Sequence, residues 1–417
     1  MFEKNIATTA LLSVIYSSAI FANAGGGGAS IYEVGTPDMG MSYAGAPARV
    51  GDAGTAYLNP AGMSFLEVDQ FALMVGAFVN YINLDFQLGN SAVGVPANAR
   101  GDGGSAGSIV PGGGLYFVKP LNNCWSVGFT VNAPYAAALK YDEGWIGRNY
   151  LEELFFLGIN IEPSIAFKAS EDFSIGLGLN FTYGYLPTFK MKATPFQNSQ
   201  DIEIDASDWD WGFTLAGLYK YTQYTQFGFT YKSGIKLNLD GELKVPRGTV
   251  LQFNQKTKLP QGISFAVSHE LSEQLKLLGD IGWSDWSEYA FQNIGISNGN
   301  VTRSGEVERH WKDTWRIGGG VEYQWDSCLT LRTGLSYDSN PANKSFTLPD
   351  APISSVYRLS FGFSLNLEQG YVLSGSYTYA HFNDVKASNV MLPYGAVFDG
   401  KYDPASMHFF GVTLEVK

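Results

Sequence analysis

Only two cysteines, Cys124 and Cys328, and four histidines occur in the 417 residues. Two thiols are too few for a disulfide scaffold. Each stands beside a predicted short turn, Cys124 after Pro120-Leu121-Asn122-Asn123 and Cys328 after Asp326-Ser327. In a large closed wall such turns lie farther apart than the ~7 Å Cα separation a bridge tolerates, so no disulfide is expected. His269, His310, His381 and His408 have no ligand spacing, and no serine, histidine and acid set can be singled out. Phosphate loops, zinc patterns and energy-coupling motifs are missing as well, so no enzyme, cofactor or metal is expected. Positive charge is scarce: 27 Lys and Arg against 39 Asp and Glu leave a net charge of −12. That balance argues against nucleic acid as a partner and provides no basic patch for anionic lipid. Past the first residues no apolar run approaches the ~20 needed for a helical membrane span.

What is present begins with an export signal. Lys4 precedes an apolar run from Ile6 to Phe21 and then Ala22-Asn23-Ala24, the small-x-small pattern of a secretory cleavage site. Residues 1–24 therefore read as a signal peptide, and the mature chain as beginning at Gly25. An exported chain without a helical span is periplasmic, secreted, or a β-barrel of an outer membrane. The 49 Gly, 24 Tyr, 28 Phe and 9 Trp are spread along the chain with no linker-like shift, which favours one continuous architecture.

Residues 25–66 stand apart. They contain Gly45, Asp52, Ala53, Gly54, Asn59, Pro60, Ala61 and Gly62, with neither helical nor strand periodicity. A segment so poor in large apolar side chains cannot build its own core and must lie inside something larger. It reads as a plug, with residues 67–417 as the wall around it. From Phe173 to Tyr183 large apolar residues alternate with Ser174, Gly176, Gly178, Asn180 and Thr182, and the same split recurs from Leu359 to Leu367 and from Phe410 to Val416. A soluble sandwich also alternates, but with strands of about five or six residues. Longer, tilted strands match a bilayer.

Tight polar turns near 119–123, 169–172, 221–225, 271–274, 325–327 and 368–370 alternate with long connections near 85–112, 141–154, 192–202, 240–258, 292–309, 339–353 and 383–403. Short turns on one rim and long loops on the other are the pattern of an all-β, transmembrane antiparallel barrel of about fourteen strands. The run Trp125–Lys140 breaks the rule, because Pro134, between Ala133 and Tyr135-Ala136, donates nothing to a ladder. Two readings stand: Pro134 lies past the strand end, or it kinks the strand and opens a hole in the wall.

Several stretches together resemble the FadL/TodX family of outer-membrane transporters for hydrophobic compounds. They are Gly45 through Asn59-Pro60-Ala61-Gly62-Met63, Trp211-Gly212-Phe213 through Tyr231-Lys232-Ser233, and Leu259-Pro260 with Trp283-Ser284-Asp285-Trp286-Ser287. Trp311-Lys312-Asp313-Thr314-Trp315-Arg316-Ile317-Gly318 follows in family order, with Leu331-Arg332-Thr333-Gly334-Leu335 and Leu348-Pro349-Asp350 after it. The resemblance implies a fourteen-stranded barrel plugged by an N-terminal hatch, with an inward kink in the third strand. It implies passive capture of apolar substrate at extracellular loops and sideways release at the kink, at Ala133, Pro134, Tyr135 and Ala136.

The capture residues would be Trp145, Ile146, Leu151, Leu154 and Phe155. The helical spacing of Leu151, Leu154 and Phe155 suggests a short amphipathic turn. The same side chains could instead pack on one another to order the loop or join an aromatic girdle. Trp283 and Trp286 read as girdle residues. Fatty-acid members are expected to neutralise a carboxylate, and Lys190, Arg309 and Lys312 are the candidate head-group contacts, weighed against ordinary solvated rim charges. An apolar residue around Val307 stands where the tenth strand should carry a lysine, which leaves room for uncharged substrates. Lys417 replaces the terminal aromatic common in such barrels. The expected partners are a hydrophobic small molecule and outer-membrane lipid or lipopolysaccharide, with the protein a monomer in the outer membrane of a Gram-negative bacterium. The rivals are a general diffusion porin, an outer-membrane lipid-modifying enzyme and an adhesive barrel.

Overall fold

The computed structural model describes residues 31–95, 101–193, 200–342, 348–392 and 395–417. The signal peptide expected at 1–24 and the first residues of the 25–66 segment lie outside them. Among the described residues the strands are β1 (Ala72–Val93), β2 (Ile109–Pro120), β3 (Trp125–Lys140), β4 (Glu153–Lys168), β5 (Phe173–Lys192), β6 (Asp201–Thr222) and β7 (Thr225–Lys232). Next come β8 (Ile235–Val245), β9 (Thr249–Leu259), β10 (Gly262–Glu270), β11 (Leu275–Ser284), β12 (Phe291–Ser297) and β13 (Thr302–Glu308). The chain ends with β14 (Thr314–Gln324), β15 (Leu329–Asp338), β16 (Ser355–Asn366), β17 (Tyr371–Asn383), β18 (Lys386–Met391) and β19 (Val397–Val416).

The sheet closes on itself. Leu73 of β1 pairs with Phe117 of β2 on one side and with Val416 of β19 on the other. Between these ends, β7 pairs with β10 and β11 with β14, so fourteen strands form the ring and β8, β9, β12, β13 and β18 extend beyond it. The alternation in sequence decides which face is which. Phe173, Ile175, Leu177, Leu179 and Phe181 are exposed, while Ser174, Asn180 and Thr182 between them are buried. Phe361, Phe363, Phe410 and Val412 repeat the pattern. Greasy side chains pointing out and small polar ones pointing in invert a soluble core, and match a wall whose solvent is lipid.

Several expected loops turn out to hold strand: β18 and the start of β19 take up most of 383–403, and β1 runs on to Val93 inside 85–112. Residues 240–258 and 292–309 fall largely in the hairpins β8–β9 and β12–β13, which pair with each other through Ile294↔Gln255. Their inward positions Leu237, Leu239, Leu243, Phe253, Ile294 and Ile296 are buried, giving the outer end of the barrel an apolar core of its own. Trp286 is likewise no girdle residue: it is buried against Tyr289 and Trp311 at ring separations of 5.6 and 5.7 Å. Cys124 and Cys328 are free and exposed.

Residues 31–66 are short helical turns, Pro37–Met41, Ala46–Ala48, Thr55–Leu58 and Pro60–Phe65, joined by irregular backbone. They touch the wall on all sides. The Tyr116 hydroxyl of β2 donates to the Val34 carbonyl, Ser174 of β5 donates to the Ala61 carbonyl (2.5 Å), and the Ala53 amide donates to Glu415 of β19 (3.0 Å). The fit needs backbone contact. A Cβ on Gly76 would lie 1.7 Å from the Gly35 carbonyl oxygen, and one on Gly176 would lie 2.4 Å from the Ala61 nitrogen. Asn59 accepts from the Ala61 amide and donates to the carbonyls of Pro47 and Gly217, so the Asn59-Pro60-Ala61-Gly62 turn is capped and tied to β6 at once.

Buried ion pairs finish the attachment. Arg49 meets Asp38 (3.2 Å), Asp52 (2.7 Å) and Glu322 of β14 (3.2 Å) with 5% of its side chain exposed. Glu33 meets Arg358 of β16 at 3.2 Å. Removing one partner of such a set strands the others in a low-dielectric site, at a cost of about 3–5 kcal/mol. Arg49→Met is therefore expected to loosen this segment while the wall stays paired. Thiol labelling of a cysteine placed at Ala53, with Cys124 and Cys328 changed to serine, measures it; protection equal to the parent would refute the role of the pair.

Candidate functional site

Among the described residues the wall is interrupted between β2 and β3. β2 pairs with β1 as far as Tyr81↔Ile109, but with β3 only from Pro120↔Ser126 to Leu115↔Val131. Beyond Val131, β3 continues along β4 after a register shift between Asn132 and Tyr135, where an extra residue is accommodated. Pro134 thus lies within the strand, and the bulge around it carries β3 away from β2. The segment just before β2 meets the end of β3 at the Lys140 amide, which donates to the Ala106 carbonyl (3.0 Å). Between these points is a recess lined by Val110, Pro111 and Gly112 on one side and by Ala133, Ala136 and Ala138 on the other. Ile31 closes its inner side, with its amide donating to the Pro134 carbonyl (2.7 Å).

Behind Ile31 lies a cavity of about 180 Å³ in the lumen. Residues 31–66 contribute Tyr32, Tyr43, Tyr57 and Leu58, and the wall contributes Pro134, Tyr135, Lys232, Asp280 and Arg316. Ile31 and the kink belong to both spaces. Arg316 is held by Asp280 (3.1 Å), Asp338 (3.5 Å) and the Ser42 carbonyl, and faces the Tyr32 ring at 4.5 Å. Lys232 donates to the Tyr57 carbonyl (3.1 Å) and sits 3.3 Å above the Tyr57 ring. The hydrophobic and aromatic lining with a few convergent polar groups is that of a small-molecule site.

The three candidate head-group cations stand outside the wall of this cavity. Lys190, at the end of β5, pairs with Asp201 (2.8 Å). Arg309 is buried in an ion pair with Asp350 (3.0 Å), whose carboxyl is pushed up to about 6 by burial against the opposing pull of Arg309. Lys312 is exposed, and its amide donates to the Pro341 carbonyl (2.9 Å).

The residues expected to capture substrate lie beyond the ring, in the outer cap. Trp145 stacks on Tyr141 with ring centroids 3.9 Å apart, packs edge-on to Phe86 and Phe398, and donates from Nε1 to the Leu151 carbonyl (2.7 Å). Ile146, Leu151 and Leu154 are buried and Phe155 is half-buried. The amphipathic turn expected at 151–155 is not formed. Glu153 opens β4, and Leu154 pairs with Leu139, because the extended ladder satisfies every backbone group there. Trp145→Ala is expected to cost the cap about 3–5 kcal/mol. Faster protease cleavage of the outer loops on intact cells would show it, and an unchanged rate would refute it.

A family model for the outer membrane protein transport protein family (OMPP1/FadL/TodX) matches residues 16–416. The chain belongs to this family. As a FadL/TodX member it is an outer-membrane β-barrel transporter of hydrophobic compounds, and not an enzyme. It is 24% identical to outer membrane protein P1 of Haemophilus influenzae, over 89% of this chain and 91% of that one. It is 22% identical to the long-chain fatty acid transport protein of Escherichia coli K12, over 96% and 97%. Among solved structures, a Pseudomonas aeruginosa FadL homologue aligns with TM-score 0.82 at 19% identity, covering 94% of this chain and 99% of that one. The Pseudomonas putida toluene transporter TodX aligns with TM-score 0.68 at 14% identity, covering 96% and 100%.

Tyr57, Lys232 and Arg316 lie within the stretches that carry the family resemblance, but neither they nor Asp280 were read as site residues from it. A signal for three of them was present. Leu277, Ile281, Ile317 and Phe229 occupy outward positions, so Asp280, Arg316 and Lys232 fall on the lumen face by strand parity. Ionisable groups inside a membrane wall are functional candidates by default.

Proposed function

We propose that this transporter captures hydrophobic small molecules at its outer loops, holds them in the cavity behind Ile31, and releases them sideways into the membrane between β2 and β3. The observation that carries the reading is the interrupted ladder beyond Leu115↔Val131, with Ile31, among the described residues, lining both that interruption and the lumen cavity. An apolar solute gains nothing from a watery pore, and the saccharide surface of an outer membrane blocks its direct entry into lipid. A protein-lined route with a side exit avoids both obstacles. Long-chain fatty acids and aromatic or aliphatic hydrocarbons are the substrate classes in view. The cavity is close in size to the ~150 Å³ apolar hole that accepts benzene in an engineered protein.

A general porin is the second reading, and the Gly35 to Gly76 and Ala61 to Gly176 backbone contacts weigh against it, since they leave residues 31–66 filling the lumen. Protein in liposomes decides between the two: small sugars should enter at the rate of empty liposomes while a hydrophobic dye held outside is taken up. Rapid swelling in sugar would favour the porin. We further propose that the monomer acts alone, surrounded by outer-membrane lipid and lipopolysaccharide.

A further inference from the structure

Two cations face the lumen cavity, and they are not equally available. Arg316 has 7% of its side chain exposed, and Asp280, Asp338 and the Ser42 carbonyl surround its guanidinium. Lys232 has 33% of its side chain open. Of its three N–H donors, one goes to the Tyr57 carbonyl, and the Tyr57 ring covers one side of the ammonium. Glu162 of β4 also lies near, fully buried, with its nearer oxygen 4.0 Å from Lys232 Nζ. Lys232 therefore has donor capacity to spare, but its charge is already matched.

Charge on the rest of the cavity points the same way. Asp280 belongs to the lining, and Asp338 is shared between Arg316 and Arg358. A carboxylate brought beside Lys232 would be a second anion against one cation, desolvated among Tyr32, Tyr43, Tyr57 and Tyr135. A hydrocarbon would leave the spare donors of Lys232 unused. An uncharged oxygen meets both conditions, since it accepts a charge-assisted hydrogen bond and adds no charge.

We infer that Lys232 is the specificity-determining donor of the cavity, and that the favoured ligand is a hydrophobic molecule bearing one uncharged hydrogen-bond acceptor, such as a phenol, alcohol or ketone. The inference rests on the transport reading above and names its substrate class. Glu162 acts in it as the group that rejects anions.

Saturable binding of p-xylene, p-cresol and p-toluate to the full chain in lipid nanodiscs, corrected for empty nanodiscs at pH 7.5, tests it with three probes that differ at one ring position. In the parent, p-cresol should bind roughly ten-fold tighter than p-xylene, with p-toluate weakest. Lys232→Met should erase the advantage of p-cresol over p-xylene. Glu162→Gln keeps the lysine and the shape of the site, and should raise p-toluate affinity by about ten-fold. Tightest binding by p-toluate in the parent, equal binding of p-cresol and p-xylene, or a p-cresol preference that survives Lys232→Met would each overturn the inference. Hydrocarbon uptake by cells reports separately on the transport reading. Uptake without the p-cresol preference sinks only the inference, and the preference without uptake sinks only the transport reading.

Discussion

Replacing Ala133, Pro134, Tyr135 and Ala136 by the three residues Val-Thr-Val is expected to abolish uptake of a hydrophobic probe while the barrel still inserts and resists denaturation. The shortened stretch removes the extra residue between the Asn132↔Asn160 and Ala137↔Phe156 pairs, so β3 can follow β4 without a bulge. With an N–H restored at 134, the strand can also reach Ile109–Gly114 of β2, whose far side already pairs with β1. Each ladder hydrogen bond so gained adds about 1 kcal/mol, so the variant should be more stable than the parent as well as inactive. Both effects are needed. A stabilised barrel that takes up the probe at the parental rate would place the exit elsewhere, straight through the hatch for instance.

Deleting residues 25–66 is expected to give the second large effect, an open channel with steady conductance and free passage of small sugars. The segment sits on the wall through Tyr116, Ser174, Glu322, Arg358 and Glu415, which come from β2, β5, β14, β16 and β19. Every wall strand keeps two neighbours without it, so the cylinder should remain closed. What is left is a fourteen-stranded lumen lined by Asp280, Arg316, Glu322, Arg332 and Arg358, wide and polar enough to fill with water. Single-channel recordings in planar bilayers provide the measure. Conductance no higher than that of the intact protein would mean that the segment does not obstruct the lumen.

Strand parity carried most of the fold. From Phe173 to Leu186 of β5 and from Val356 to Ser364 of β16 the period of two holds, and which residues face lipid could be read one by one there. The outer cap was less legible, because a hairpin such as β8–β9 buries one face against other loops and its polar tips look like connection. Trp286 shows the same limit: a tryptophan beside a turn suits a membrane surface, but here Tyr289 and Trp311 happen to enclose it. The cavity was hidden for a related reason. Tyr57 and Lys232 are 175 positions apart, and only closure of the ring around the hatch sets the ammonium over the phenol ring.

Export, the greasy exterior, the number of strands and the proline that weakens one of them were decided by local pattern, since a period of two and a missing N–H act within a few residues. Tertiary structure decided what those features enclose. It alone determines that β2 and β3 part at Val131, that Ile31 sits behind the gap, and that the charge of Lys232 is met by Glu162. Distances and charge balance across a lumen depend on which strands become neighbours, and that follows from closing the whole sheet rather than from any stretch of it.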